Sequence, residues 1–279
     1  MKAKKSYGQH FLKEEPIAQR IAESLQLVDS YQDILEIGPG MGMLTKYLLR
    51  YQPAQKITVV EADPDMVAYL KANYPDLPHE QIIQQDFLQM PLNQHFVERQ
   101  FGLIGNFPYN ISSQIVFKMI EYKTQIPEMV GMFQREVAER IAAVPDCGEY
   151  GILSVMAQAF YDAKLLFIVK AGSFNPPPKV QSAVIRLTRK ASLDLGCDER
   201  LFKIAVKQAF GQRRKMLRNT LAGLLSKEIL YSDDVFTKRA ENLSVADFVK
   251  LTNQISEFRK NNKNSEPIDE PTTNEGEND

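Results

Sequence analysis

The sequence predicts an α/β protein with a doubly wound parallel sheet, followed by a small all-helical domain. Three observations indicate this fold. Short apolar runs alternate with stretches of helical spacing, a glycine-rich loop follows the first apolar run, and beyond about Ala191 only helical spacing remains. The chain has 279 residues, which is enough for one large domain and a smaller one. We expect residues 1–190 to form the first and residues 191–260 the second.

The elements of the first domain follow one another in a regular order. Apolar runs of strand length predict strands at 33–37, 56–60, 81–85, 101–105, 128–134, 164–169 and 182–189. Helical spacing predicts helices at 15–27, from the glycine loop to Arg50, from about Pro64, and at 112–122. Strands that alternate with helices favour a parallel sheet, because parallel neighbours need a long crossover connection.

The composition excludes several classes of protein. The hydrophobic content of 44% and charged content of 25% are typical of a globular protein. No apolar run approaches the roughly 18 residues that span a bilayer, and the polar N-terminus does not resemble a secretory signal. The two cysteines, Cys147 and Cys197, and the three histidines lack metal-ligand spacing. We therefore predict no metal and a cytoplasmic location.

The net charge of −1 conceals a strong segregation of charge. Residues 264–279 carry six acids and no base, so the remaining residues have a net charge of −1 + 6 = +5. Residues 261–279 are polar and acidic, and we expect them to form a disordered tail. Residues 201–223 carry six basic side chains and no acid, which indicates a polyanionic partner.

The glycine loop and two strand-end acids predict a site for an adenosine-bearing ligand. Gly38 and Gly40 would let the backbone approach a ligand closely. A dinucleotide fingerprint would require glycine where Met43 stands, so no phosphate-binding loop is indicated. Glu61 could accept from both ribose hydroxyls, and Asp86 could accept from the adenine amine. S-adenosylmethionine, a nucleoside without phosphates, is the cofactor we predict.

The loop after the strand at 101–105 has the chemistry to activate an aromatic amine. Asn106 offers a side-chain carbonyl oxygen, and Pro108 restricts Phe107 so that a backbone carbonyl can be held in place. Two such acceptors would draw the amine toward a nucleophilic, pyramidal geometry. Tyr109 offers a flat face for stacking a base, and Phe174 is a candidate for the opposite face. A simple turn after a strand is the alternative interpretation of this loop, and a stiff interstrand connection is that of Phe174.

Seven stretches together resemble the ribosomal small-subunit adenine dimethyltransferases, from Gly8 to about Phe258. They are Gly8–Leu12, Glu36–Gly40, Asn106–Tyr109, Tyr150–Gln158, Phe174–Val180, Phe210–Asn219 and Arg239–Ser244. The resemblance implies a Rossmann-like class I methyltransferase fold. It also implies transfer of methyl groups from S-adenosylmethionine to N6 of two adjacent adenosines in the 3′-terminal hairpin loop of small-subunit (16S) rRNA.

The resemblance further implies which residues contact the cofactor: His10, Leu12, Gly38, Glu61, Asp86 and Asn106. The chain departs from the family pattern at two of its positions. The family commonly has asparagine where His10 stands and leucine or isoleucine where Phe107 stands. Transfer would be in line from the sulfonium, and it requires neither a metal nor a dedicated general base.

We expect RNA to be held by basic side chains outside this site. The candidates are Lys4, Lys5, Arg213, Arg214, Lys215 and Arg218. The expected partner is small-subunit rRNA or an immature 30S subunit, bound by a monomer that serves small-subunit biogenesis. The alternatives are a dimethyltransferase for a large-subunit rRNA adenosine, a DNA adenine methyltransferase and a non-catalytic assembly factor. The stretch Phe210–Asn219 favours the small-subunit enzyme.

Overall fold

The computed structural model describes residue 4 and residues 7–52 and 54–262. These residues form two compact units, one within Met1–Ala143 and Met156–Leu193 and the other within Val144–Val155 and Asp194–Asp279. The helical unit thus includes a short segment, Val144–Val155, that precedes the last two strands of the sheet. The acidic tail lies outside the described residues from 263 onward.

Among the described residues of the first unit, nine strands form two sheets. They are β1 (Phe11–Leu12), β2 (Asp33–Ile37), β3 (Lys56–Glu61), β4 (Ile82–Gln84), β5 (Phe101–Asn106), β6 (Glu128–Gln134), β7 (Tyr161–Val169), β8 (Phe174–Asn175) and β9 (Ser182–Arg189). The large sheet has the order β4-β3-β2-β5-β6-β9-β7, and β1 pairs with β8 in a separate antiparallel ribbon.

The large sheet is mixed, so the prediction of a parallel sheet is wrong for one of its strands. β2 to β6 are parallel to one another, but β9 runs antiparallel to both β6 and β7. The connection from β7 to β9 explains this direction. It contains a 3-10 turn (Ala171–Ser173) and β8 but no crossover helix, so the chain returns beside the strand it has just left.

In the part of the chain that the structure describes, seven α-helices lie in or border on the first unit. They are α1 (Glu15–Ala22), α2 (Thr45–Leu48), α3 (Pro64–Asn73), α4 (Leu92–His95), α5 (Ser112–Glu121), α6 (Arg135–Ala142) and α7 (Ile152–Phe160). α4, α6 and α7 were not predicted from the sequence. α1 ends five residues before the predicted Leu27, because the N–H groups of Gln26 and Leu27 bind the buried Glu128 carboxylate at 2.9–3.0 Å instead of helix carbonyls.

The second unit is built from helices and 3-10 turns, as the sequence predicts beyond Ala191. Its helices are α8 (Glu199–Phe210), α9 (Leu217–Thr220), α10 (Lys227–Leu230) and α11 (Val245–Asn261). The side chains of Asp198 and Ser244 cap the N-termini of α8 and α11. The rings of Tyr150, Phe210 and Phe248 pack together in the core. Over the described residues, no helix is long and apolar enough to cross a bilayer.

The strand order reverses between β2 and β5, and this reversal positions the site. The chain builds outward from β2 to β3 and β4, then crosses back to place β5 on the other side of β2. A crevice opens outside the carboxyl ends of the strands at such a point. The ends of β2, β3 and β5 carry Ile37, Glu61 and Asn106, so the loops that follow all face this crevice.

Two glycines make room for the ring of Phe107 beneath the crevice. A Cβ atom on Gly131 would lie 2.2 Å from a ring carbon of Phe107, and one on Gly105 would lie 2.7 Å from another. The Phe107 ring is fully buried and meets Phe133 edge to face at 5.1 Å. The position of the Asn106–Tyr109 loop therefore depends on glycine at position 105 of β5 and position 131 of β6.

We expect Gly131→Ala to destabilise the protein by about 1–3 kcal/mol, because the added methyl group overpacks the Phe107 ring. Urea unfolding of the purified variant measures this change. Gly172→Ala is the matched control, since a Cβ there meets no atom within 4 Å. Equal losses of stability in the two variants would show that the Phe107 packing is not the cause.

Candidate active site

A cavity of about 680 Å³ opens at the carboxyl ends of β2, β3 and β5. Its wall comes from the N-terminal segment, the glycine loop and the loops after β3, β4 and β5. The structure brings together ten of the residues that the sequence analysis selected for the cofactor and the reaction: His10, Leu12, Gly38, Gly40, Glu61, Asp86, Asn106, Phe107, Pro108 and Tyr109. Phe174 is the exception.

The glycine loop is held against the end of β3 by hydrogen bonds. Gly38 and Gly40 have φ angles of +64° and +55°, which favour glycine. The Glu61 carboxylate accepts from the N–H of Gly40 at 3.1 Å and from the N–H of Asp63 at 2.9 Å. Burial raises the pKa of Glu61, while these backbone N–H groups oppose the increase. The carboxylate is thus fixed on the cavity wall.

A second acid, Glu36, lies on the same wall and was not selected as a site residue from the sequence. It is buried on β2, and its Oε2 accepts a hydrogen bond from the Thr45 hydroxyl at 2.6 Å. Burial raises the pKa of Glu36 to about 8, and the neighbouring Glu61 contributes to the increase. Its signal in the sequence was the acid two positions before Gly38, inside an otherwise apolar strand.

A buried lysine fixes the turn that presents Asp86. The Asp86 carboxylate caps this turn by accepting from the N–H of Leu88 at 2.9 Å. Behind it, the Lys118 ammonium donates to the carbonyls of Phe87, Leu88 and Met90 at 2.6–2.8 Å. Burial lowers the pKa of Lys118. Lys118 was not predicted as a site residue. The feature that could have identified it is a charged residue on the apolar side of the helix at 112–122.

The side-chain amide of Asn106 has a defined orientation on the cavity wall. Its Nδ2 donates to the backbone carbonyl of His10 at 3.0 Å. A carbonyl oxygen can only accept, so the neighbouring atom must be the amide nitrogen and not the amide oxygen. Oδ1 therefore remains as the acceptor of Asn106, the role that the sequence analysis assigned to it.

The ring of Tyr109 is held on one edge and one face. Its hydroxyl lies 2.5 Å from the Ser182 hydroxyl, and burial raises its pKa. The His10 ring stacks on it, with a centroid distance of 5.4 Å and an interplanar angle of 28°. His10 is itself anchored, because its Nδ1 lies 2.8 Å from the carbonyl oxygen of Pro176.

Phe174 does not take the place that the sequence analysis gave it as a second stacking face. Only 1% of its surface is exposed, and it packs in the core with Leu12 and Ile21. The pairing of β8 with β1, in which Phe174 lies opposite Leu12, directs the ring into this core rather than into the cavity. The structure thus corrects the proposed sandwich of Tyr109 and Phe174.

Lys4, one of the candidates for binding RNA, is paired with two acids. The Lys4 ammonium lies 2.7 Å from both the Asp63 and the Asp65 carboxylates, and these contacts raise its pKa. Gln9 also donates to Asp63, at 2.9 Å. A role for Lys4 in binding RNA stays a prediction that would require these contacts to be exchanged. Lys5 lies outside the described residues.

The basic residues of the helical unit are partly engaged within that unit. Arg213 donates to the Glu241 carboxylate at 2.9 Å and to the Gly148 carbonyl. The Arg218 guanidinium lies over the exposed ring of Tyr231, at 5.4 Å from its centroid. Arg214 and Lys215 are exposed. Across residues 4, 7–52 and 54–262, no cluster of three or more His, Cys, Asp or Glu side chains could hold a metal ion.

Comparisons with known proteins cover most of the chain. Residues 1–257 match the family described as ribosomal RNA adenine dimethylase. The chain is 54% identical over 255 residues to the ribosomal RNA small subunit methyltransferase A of Flavobacterium johnsoniae, an alignment that covers 91% of this chain and 96% of that protein.

Two solved structures share the fold over nearly their whole lengths. A dimethyladenosine transferase from Plasmodium falciparum superposes with a TM-score of 0.72 at 25% identity, covering 89% of this chain and 98% of that chain. The 23S rRNA methyltransferase ErmE superposes with a TM-score of 0.65 at 25% identity, covering 88% and 99%. These similarities confirm the predicted fold class.

We expect Glu36→Gln to change how stability depends on pH. The pKa of Glu36 is about 8 in the folded protein, against an ordinary value of 4.5. Between these values the folded protein holds a proton that the unfolded chain releases, so the Glu36 carboxyl costs stability as pH rises. Relative to Glu36→Gln, the original protein should lose at most roughly 1.4 kcal/mol per pH unit between about pH 5 and pH 8.

Urea unfolding at several pH values in this window measures the difference. Glu80→Gln, which alters an exposed glutamate, is the control and should follow the original protein at every pH. If the curves of the original protein and Glu36→Gln stay parallel, the raised pKa is refuted.

Proposed function

Because the chain belongs to the ribosomal RNA adenine dimethylase family, we propose that it methylates two adjacent adenosines in the 3′-terminal hairpin loop of 16S rRNA. Each adenosine receives two methyl groups at N6. The name of the Flavobacterium johnsoniae relative supports a small-subunit substrate. The observation that carries the reaction is the Asn106 amide, whose nitrogen is bound to the His10 carbonyl and whose oxygen is left as an acceptor on the cavity wall.

We propose S-adenosylmethionine as the methyl donor, which supplies an activated methyl group on a positively charged sulfur. The cavity of about 680 Å³ lies within the usual range for small-molecule sites. The Glu61 carboxylate, fixed by two backbone N–H groups, would accept from the ribose hydroxyls. Asp86 would accept from the cofactor's adenine amine, and the Gly38–Gly40 backbone, with the wall residue Leu12 and the backbone of His10, would border the ligand.

Asn106 and its neighbours would prepare the amine for transfer. Oδ1 of Asn106 and the backbone carbonyl of Phe107 would accept the two N–H groups of the target, which localises the nitrogen lone pair toward the methyl group. Pro108, with φ of −56°, stiffens this loop. The proton leaves readily once the nitrogen carries the methyl group, so no general base is required. Catalysis then rests on positioning, which can supply up to roughly 7–11 kcal/mol.

The second transfer places a further demand on this loop. After the first methyl group is added, only one N–H group remains to bind an acceptor. The orientation of Asn106 does not depend on the substrate, since the His10 carbonyl holds its Nδ2. A fixed acceptor can therefore serve the primary and the secondary amine alike.

The helical unit would contribute affinity for RNA through phosphate contacts. Arg214 and Lys215 are exposed, and Arg213 and Arg218 lie in the same stretch without any acid between 201 and 223. We propose that a monomer binds small-subunit rRNA or an immature 30S subunit in the cytoplasm. A large-subunit rRNA adenosine is the alternative substrate, in keeping with the similarity to the 23S rRNA methyltransferase ErmE.

A methyl-transfer assay with labelled S-adenosylmethionine distinguishes between these possible substrates. The protein is incubated with undermethylated small subunits, with large subunits and with adenine-containing DNA, and the modified bases are mapped. We expect label at two adjacent adenosines of the small-subunit rRNA. Label in large-subunit rRNA or DNA would replace this assignment, and no transfer to any of them would favour a non-catalytic assembly factor.

We expect Asn106→Ala to lower the single-turnover rate of methyl transfer about a hundredfold, by analogy with the loss of one polar group that acts on the reacting atoms. Cofactor affinity, measured by calorimetry, should change by a much smaller factor. Asn93→Ala, at an exposed position, is the control. Near-normal single-turnover rates for Asn106→Ala would contradict the mechanism.

We expect Arg214→Glu combined with Lys215→Glu to weaken RNA binding and to flatten its dependence on salt. The slope of log affinity against log salt is negative, and each lost phosphate contact makes it less steep by about 0.7–0.9. The double variant Lys250→Glu, Lys260→Glu carries the same change of charge on the exposed side of α11 and is the control. A slope that stays the same in the first variant would exclude phosphate contacts at these positions.

A further inference from the structure

We propose that the imidazole of His10 is a positioning residue for the target adenine and not a contact of the cofactor. It would act through Tyr109, by fixing the plane of the ring on which the base stacks. The inference rests on the proposed function, because it concerns the base that is methylated. It replaces the role expected of residue 10 from the family pattern, in which asparagine is common at that position.

The imidazole of His10 is already bound to other groups of the protein. Its Nδ1 lies 2.8 Å from the Pro176 carbonyl oxygen, which can only accept, so Nδ1 carries the hydrogen and donates it. One face of the ring is committed as well, since it stacks on Tyr109. These two contacts fix the direction and the plane of the side chain.

The ring of Tyr109 is held at one edge and on one face. Its hydroxyl is 2.5 Å from the Ser182 hydroxyl, which fixes the ring edge, and His10 covers one face. A base placed between the two rings would need roughly 7 Å between them, twice the roughly 3.4 Å rise of stacked bases. The observed centroid distance is 5.4 Å. A target base therefore stacks on the face of Tyr109 opposite His10.

His10 also connects Tyr109, on which the base would stack, with Asn106, which would accept from the amine. The backbone carbonyl of His10 accepts from Nδ2 of Asn106 at 3.0 Å. The same residue thus orients Asn106 through its backbone and Tyr109 through its side chain. Since Phe174 is buried in the core, the imidazole is the aromatic group that supports Tyr109. Replacing the side chain leaves the Asn106 contact in place, so the function of the ring can be tested alone.

Three substitutions separate the two contacts of the imidazole. His10→Phe keeps a ring to stack on Tyr109 but loses the donor to Pro176. His10→Asn keeps a donor but loses the ring, and His10→Ala loses both. Stacking is measured with an RNA hairpin that carries 2-aminopurine at the target position, whose fluorescence is quenched when it stacks, and the rate of methyl transfer is measured with the same hairpin carrying adenosine there. Lys13→Ala, at an exposed position of the same N-terminal segment, is the control.

We expect His10→Ala to lower the single-turnover rate about tenfold at saturating cofactor, with the cofactor dissociation constant within about twofold of the original. Quenching of 2-aminopurine should be largely kept in His10→Phe and reduced in His10→Asn and His10→Ala. Ser182→Ala, which releases the edge of the Tyr109 ring that His10 does not contact, should also reduce the rate and the quenching.

A double-mutant cycle with Tyr109→Ala gives the decisive comparison. If His10 acts through Tyr109, adding His10→Ala to Tyr109→Ala should lower the single-turnover rate less than twofold further. A tenfold weaker cofactor affinity in His10→Ala, with a normal rate once cofactor is saturating, would overturn the proposal. So would an undiminished effect of His10→Ala in the Tyr109→Ala background. Absence of transfer by the original protein would instead refute the proposed function.

Discussion

The reversal of strand order between β2 and β5 is the constraint on which the site depends. It leaves a crevice that no neighbouring strand fills, and it brings the ends of β2, β3 and β5 to one edge of the sheet. Glu61 and Asn106 are the last residues of β3 and β5. The pairing of these strands with their neighbours therefore fixes the backbone positions of both residues. Polar groups on rigid strand ends lose little conformational freedom when they meet a ligand.

Backbone groups hold most of the polar side chains of the site. Glu61 is bound by two N–H groups, Lys118 by three carbonyls and Asn106 by one carbonyl. Burial of charge is costly unless hydrogen bonds offset it, and backbone groups offer partners that a substitution elsewhere does not remove. Glu36 accepts from the Thr45 hydroxyl, and burial raises its pKa to about 8; burial raises the pKa of Glu61 as well, although its two backbone N–H partners oppose the increase.

The sequence could predict those features that depend on local pattern. The strands at 128–134 and 182–189 match β6 and β9, and the acids at the strand ends lie on the cavity wall. The direction of β9 could not be predicted, because it depends on the connection that precedes it. An aromatic residue such as Phe174 serves a core and a stacking face equally well, so its position depends on the pairing of β8 with β1. Lys118 was missed because a lysine on a helix is usually solvated, and its carbonyl partners come from a distant turn.

The N-terminal segment, residues 4 and 7–12, contributes to the site together with the sheet, because its side chains and backbone contact the loops around the cavity. Asp63 follows the end of β3 and is completely buried, and it accepts from Lys4 and Gln9 at 2.7 and 2.9 Å. Although burial alone would raise the pKa of Asp63, these donors keep it lowered. Further along, His10 binds the Pro176 carbonyl and β1 pairs with β8. Residues 4 and 7–12 are thus held by contacts to the loops after β3 and β8. Since the carbonyl that orients Asn106 comes from this segment, the geometry of the acceptor depends on contacts that no single strand of the sheet supplies.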